Sequence, residues 1–103
     1  MMYRVKEIRV RRYPVLELVF EDGFIGELDM TRDIAGGRLF APLRDEAYFH
    51  TVAIGEAGHS FGWNLDEQGK EIDLSADAAR IDIETELVKR MAADYRAHRA
   101  AAE

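Results

Sequence analysis

There is no cysteine anywhere in the 103-residue chain. That excludes a disulfide framework and any thiolate nucleophile or metal ligand, and it fits a reducing compartment. Proline occurs only twice and tryptophan once. No apolar run approaches the ~20 residues of a membrane-spanning helix. The opening stretch, MMYRVKEIRV, holds no signal-peptide core. The sequence reads as a cytoplasmic protein with no membrane association.

Reactive chemistry is equally scarce. The three histidines, His50, His59 and His98, match no metal-ligand spacing. The only serines are Ser60 and Ser75, and Ser60 follows His59 directly. Neighbouring side chains on a strand point to opposite faces, so a Ser-His-Asp arrangement has little to build from. Gly36-Gly37 lacks the Lys-Ser/Thr pair of a phosphate loop. Asn64, Asp66 and Gln68-Gly69 echo the start of a calcium loop, but the twelfth position is Ser75, where a bidentate glutamate is needed. Glu21-Asp22 and Asp45-Glu46 read as turn residues before they read as a carboxylate pair. The expectation is a protein with no catalytic residue, no cofactor and no metal site, and not an enzyme.

What the chain does have is a strong pattern of alternation at VLELVFEDGFIGELDM, residues 15–30. Leu16, Leu18 and Phe20 alternate with Glu17 and Val19, the period-2 signature of a half-buried strand. A two-residue turn at Asp22-Gly23 would pair Leu18 with Glu27 and put a carboxylate on the apolar face. A three-residue loop, Glu21-Asp22-Gly23, pairs Phe20 with Phe24, Leu18 with Gly26 and Leu16 with Leu28. A one-residue slip exchanges the two faces, so the pattern selects the second register. Gly23 then takes the left-handed position of the loop. Glu17 falls opposite Glu27, a destabilising arrangement that calls for a base beside it.

Fourteen basic and twenty acidic residues give a net charge of −6. The charge is uneven: Arg4, Lys6, Arg9, Arg11 and Arg12 against Glu7 give residues 1–12 a local +4. The first strand, Tyr3 to Arg11, needs a bulge near Lys6-Glu7 to reconcile the parity of Tyr3 and Val5 with that of Ile8 and Val10. Its bases have two readings. They relieve Glu17 and Glu27 from the next strand, or Arg9, Arg11 and Arg12 bind nucleic acid weakly, since few phosphates would be met and the acidic remainder repels them.

Further along, Thr31–Ile34 reads as a helical turn capped by Thr31, and Ala41–Ala47 as another with Pro42 in its first turn. His50–Ile54 and Ser60–Trp63 read as strands, with 64–71 a polar loop. Ser75 caps a short turn. A helix follows from about Asp82 to Ala101, its stripe of Ile83, Leu87, Met91 and Tyr95, widened by Val88 and Ala92, predicted to be buried on the sheet. The expected fold is α+β: one domain over 1–103, with a small antiparallel sheet of about five strands in 3–63, short helical turns, and the C-terminal helix packed on it.

Six ordered pieces carry a resemblance: YPVLELVFEDG at 13–23, GELDM at 26–30, LFAPLRD at 39–45, Phe49 with VAI at 52–54, FGW at 61–63 and IDLSAD at 72–77. Over about residues 3–80 the chain resembles the small bacterial family known as domain of unknown function 2442. The link after the tryptophan is longer here than is common in that family. The resemblance implies a small antiparallel sheet with helices, no enzymatic activity, and an antitoxin-like or regulatory role beside a toxin-like protein. The leading functional expectation is thus a non-catalytic interaction module, with a homodimer or a toxin-like protein as partner. Val15, Val19 and Ile25, on the outer face of the hairpin, are the candidate contact residues unless a helix covers that face. Trp63 reads either as core or as a partner-facing anchor.

Overall fold

The alternating stretch forms the centre of a three-stranded antiparallel sheet in the computed structural model of the protein, which describes residues 2–102. β1 (Val5–Arg12), β2 (Val15–Phe20) and β3 (Ile25–Asp29) lie in the order β1-β2-β3. Leu16 pairs with Leu28, Leu18 with Gly26 and Glu17 with Glu27, the register that keeps one face apolar. The loop closes through Phe20 N donating to Phe24 O at 2.9 Å and Gly23 N donating to Phe20 O at 2.9 Å. Gly23 has φ 91°, as the three-residue loop demands. The ladder between β1 and β2 shifts between Val5 and Glu7, where the parity of the first strand changes, and again between Val10 and Arg12.

The expected single sheet is divided. β4 (Ala53–Ile54), β5 (Ser60–Trp63) and β6 (Ile72–Ser75) form a second antiparallel sheet in the order β4-β5-β6. The fourth strand is shorter than His50–Ile54 because Asp45 caps a helical turn, α2 (Glu46–Phe49), and His50 closes it by donating to Glu46 O at 3.1 Å. The sixth strand lies beyond the polar loop. Ile72 and Leu74 pair with Trp63 and Phe61, an alternation visible in Ile-Asp-Leu-Ser but only four residues long. Gly62 is required there: a Cβ on it would collide with the carbonyl oxygen of Ile72 on the neighbouring strand.

Between the sheets run α1 (Thr31–Gly36), a 3-10 turn at Ala41–Arg44 and α2. Thr31 begins α1 and does not cap it. The group that meets the free N–H is the carboxylate of Asp29, which accepts from Thr31 N at 2.9 Å and from Thr31 Oγ1 at 2.6 Å. Pro42 sits in the first turn of the 3-10 segment, where a missing N–H costs nothing. One cluster of buried side chains runs through both sheets, from Leu16, Leu18 and Phe20 to Leu43, Phe49, Phe61 and Trp63. Trp63 is buried, with Nε1 donating to Phe49 O at 2.8 Å.

The last helix, α3 (Ala76–Ala102), starts six residues before the expected Asp82. Ser75 Oγ accepts from Ala78 N at 3.2 Å, and nothing interrupts the chain between that first turn and the long amphipathic stretch. Ala76, Ala79 and Ile83 are buried, with Ile83 resting over Gly26 of β3. The expected burial of the whole stripe is not observed. Leu87 is 36% exposed, Val88 63%, Met91 68% and Tyr95 64%. The reason is geometric: a step of four residues turns about 40° past a full helical turn, so residues at strict four-residue spacing spiral away from the face that Ile83 buries. The second half of α3 projects, and the molecule measures 57 × 30 × 20 Å.

Two outcomes follow for stability. Ile83→Asp should cost about 3 kcal/mol or more, because the carboxylate would lie against the sheet, whereas Leu87→Asp should cost no more than about 1 kcal/mol; urea unfolding of both variants measures the contrast. Gly62→Ala should cost several kcal/mol, roughly the upper range for a single substitution, because a backbone carbonyl has nowhere to move without breaking the β5–β6 ladder. The same denaturation midpoints report it.

Candidate functional site

The candidate residues read from the sequence fall into two groups, a third group emerges only from the structure, and the three do not form one site. Val15 and Trp63 are buried, so neither presents a contact surface. Val15 occupies the middle strand with a partner on each side, Arg12 and Asp29. Val19 also lies on the middle strand between two partners, Glu7 and Ile25, and is less covered. Val19 and Ile25 pair across β2 and β3. Val19 is half-buried and Ile25 is 60% exposed. The three-residue patch is thus reduced to Val19 on the middle strand and Ile25 on the edge strand β3.

Arg9, Arg11 and Arg12 form the second group. Arg9 Nε lies 2.6 Å from Glu17 Oε1, Arg11 Nε 3.5 Å from Glu27 Oε2, and Arg12 Nη1 3.8 Å from Glu27 Oε1. These are the bases that the opposed glutamates call for. Each is more than half exposed, so the pairs contribute little to stability. Their effect is local neutrality: the basic strand faces the acids of its own sheet.

The third group was not foreseen. Arg80, on the first half of α3, has a side chain only 9% exposed. Its guanidinium carbon lies 4.0 Å from the ring centre of Phe24, 4.3 Å from that of Tyr3 and 4.9 Å from that of Phe20. Nη1 lies 3.1 Å and 3.0 Å from the two oxygens of Asp22, and Nε donates to Glu84 Oε2 at 2.8 Å. A guanidinium suits this box because it is planar, weakly hydrated and able to stack while donating at its edge. Nearby, Tyr3 N donates to Asp77 Oδ1 at 2.6 Å and ties the start of the chain to the same helix. The only signal for Arg80 in the sequence was a lone arginine among alanines and isoleucines, four residues before a glutamate.

Two shallow depressions, each about 280 Å³, flank this region. One is lined by Met2, Tyr3, Arg4, Glu21 and Asp22. The other is a groove between the edge strand β3 and α3, with Glu17, Ile25, Glu27, Ile83, Leu87 and Arg90 on its walls. Among the described residues no group of three or more His, Cys, Asp or Glu side chains is arranged to hold a metal ion. No described helix is long and apolar enough to cross a membrane. The groove is amphipathic, with two carboxylates on the sheet side and a guanidinium on the helix side. That suits contact with a side chain or helix better than the fixing of a small reactant.

Two carboxylates, Asp22 at the hairpin tip and Asp29 at the far end of β3, are held below their usual pKa range. The N–H of Phe24, followed by the Arg80 guanidinium, keeps the Asp22 carboxyl below its usual range. The Thr31 hydroxyl and N–H do the same for Asp29, with Arg12 adding to it. A carboxylate with a lowered folded-state pKa stabilises the fold above its unfolded pKa, and that contribution disappears as pH falls through the folded value. Loosening of the hairpin tip and of the start of α1 should therefore set in below about pH 4. Arg80→Ala should destabilise by roughly 1–3 kcal/mol, since charged hydrogen bonds and ring contacts go together, and Arg80→Lys should recover only part of that loss. Acid titration followed by circular dichroism, with Asp22→Asn as the control, measures the first; urea unfolding measures the second.

No family model, no curated protein and no solved structure matches the chain.

Proposed function

We propose that the protein is a non-catalytic protein-interaction module whose contact surface is the projecting half of α3. The observation that carries this reading is the exposure of Val88, Met91 and Tyr95 on one side of a helix whose first half is firmly docked. Scattered exposed apolar residues are ordinary, but a set at helical spacing on an unpacked rod is a ready surface for a partner. A helix of 27 residues is about 40 Å long, and half of it exceeds what the sheet covers. The antitoxin-like or regulatory role implied by the resemblance to the domain of unknown function 2442 belongs to this proposal, with a toxin-like protein as one class of partner.

Nucleic-acid binding through the first strand is the weaker reading. Arg9, Arg11 and Arg12 already face Glu17 and Glu27, so a phosphate would have to compete with a carboxylate at each base. Any such affinity is salt-sensitive.

The test is affinity capture from the native host with the wild type and with Met91→Lys plus Tyr95→Lys. Both positions are solvent-exposed, so the pair should change stability by only about 0.5 kcal/mol per site. The variant should unfold with the wild type and lose the captured partner. Equal capture by both proteins would remove α3 as the contact surface.

A further inference from the structure

The first sheet ends one strand short of the helix that packs on it. Arg80 lies against the rings of Tyr3, Phe20 and Phe24, and Ile83 lies over Gly26 on the apolar face of β3, the outer strand. Ile83, Leu87 and Arg90 fall within about 60° of one another round α3, so the side that docks continues past Ile83. Val88, Met91 and Tyr95 are centred about 100° away from it. Leu87 and Arg90 share a groove of about 280 Å³ with Ile25 and Glu27, so α3 runs outward past the edge of β3. One turn beyond Ile83 the helix has advanced about 6 Å, close to the ~4.8 Å between neighbouring strands. Leu87 is thus a strand's width beyond Gly26, where the sheet has no strand.

The backbone on the opposite wall is unpaired. Phe20 N donates to Phe24 O, and Met30 N donates to Pro14 O. These bonds mark hydrogen-bonded pairs at both ends of the β2–β3 ladder, and such pairs alternate along antiparallel strands. Gly26 and Leu28 therefore turn their N–H and C=O groups to β2, and Ile25 and Glu27 turn theirs outward. Among the described residues no backbone group meets those of Ile25 and Glu27.

We propose that this edge takes an extended peptide segment of a partner protein as a fourth strand beside β3. Ile25 and Glu27 supply two donors and two acceptors at strand spacing, which only an extended backbone can match. Alternate side chains of the segment point to the two faces of the sheet. Those on the apolar face rest on Leu87 and are aliphatic or aromatic. Those on the other face stand beside Ile25 and Glu27 and are polar. The occupant is a single segment and not the edge of another folded sheet, because α3 already fills the layer beneath the strand. A second copy offering its own β3 would bring a second α3 to the same place. The site uses a different side of α3 from Val88, Met91 and Tyr95, and it does not depend on that surface.

A library of random linear heptapeptides displayed on phage, selected on the purified wild type, supplies the probe. A selected peptide, once synthesised, should slow hydrogen exchange at the amides of Ile25 and Glu27. Glu27→Pro removes one outward N–H and leaves the β2–β3 ladder its bonds. It should weaken the peptide by about tenfold or more, whereas Glu27→Gln, which keeps the N–H, should bind as the wild type does. Leu87→Asp should weaken the peptide as well. Met91→Lys plus Tyr95→Lys should bind it unchanged, which separates this site from the surface proposed above. Enrichment of no peptide over a protein-free control would overturn the inference. So would a peptide that leaves the two amides exchanging freely, or that binds Glu27→Pro and the wild type alike. Circular dichroism checks that Glu27→Pro folds; where it does not, amide exchange in the wild type and binding to Leu87→Asp decide. Loss of the peptide from the double lysine variant alone would move it to the other side of α3 and overturn the edge pairing.

Discussion

The clasp made by Arg80 is the interaction on which the arrangement of the two halves depends. A buried guanidinium is costly unless its charge is met, and here it is met twice, by Asp22 at the hairpin tip and by Glu84 one turn along α3. Tyr3, Phe20 and Phe24 supply the rest of its surroundings, their ring faces turned to a cation. The clasp therefore joins the start of the chain, the tip of the first sheet and the root of the last helix at a single point. Both partner carboxylates remain about half exposed, so the cation is buried while its counter-ions keep their hydration. That division lowers the desolvation cost that makes fully buried ion pairs poor sources of stability.

The hairpin that supplies Asp22 is itself shaped by a conflict. An apolar face on Leu16, Leu18 and Phe20 forces Glu17 against Glu27 on the other side of the same sheet. The first strand resolves it with Arg9 and Arg11, which lie beside those acids once the bulge between Val5 and Glu7 has changed the strand's parity. The basic N-terminal segment thus has a structural occupation, and its local charge of +4 gives little guidance to a ligand. A cluster of like charges in a sequence acquires meaning only when the facing strand is known.

The hairpin, its loop and its register are legible because period-2 alternation, a glycine in the last position of a three-residue loop and a single consistent face all agree. The division into two sheets was not, because β4 and β6 are two and four residues long, below the length at which alternation is distinguishable from loop. The candidate site was legible only in part. The stripe on α3 is plain in the sequence, but how much of it the sheet covers is not, because strict four-residue spacing drifts away from the face that Ile83 buries. Arg80 went unread: its role depends on three aromatic side chains 56 to 77 residues away in sequence.

The docked and projecting halves of α3 are one uninterrupted rod, and that couples geometry to residue count. Each residue advances the helix by about 100° and 1.5 Å. The direction in which Met91 faces, relative to the sheet, is therefore set by the number of residues between it and Arg80. Substitutions along this span change the chemistry of the surface and leave its orientation alone. Insertion or deletion of a single residue leaves the chemistry alone and swings everything beyond it through more than a quarter turn. The span from Ile83 to Val88 thus works as a phase element, tolerant of composition and intolerant of length, in contrast to the polar loop of residues 64–71, where a change of length is absorbed without re-aiming anything beyond it.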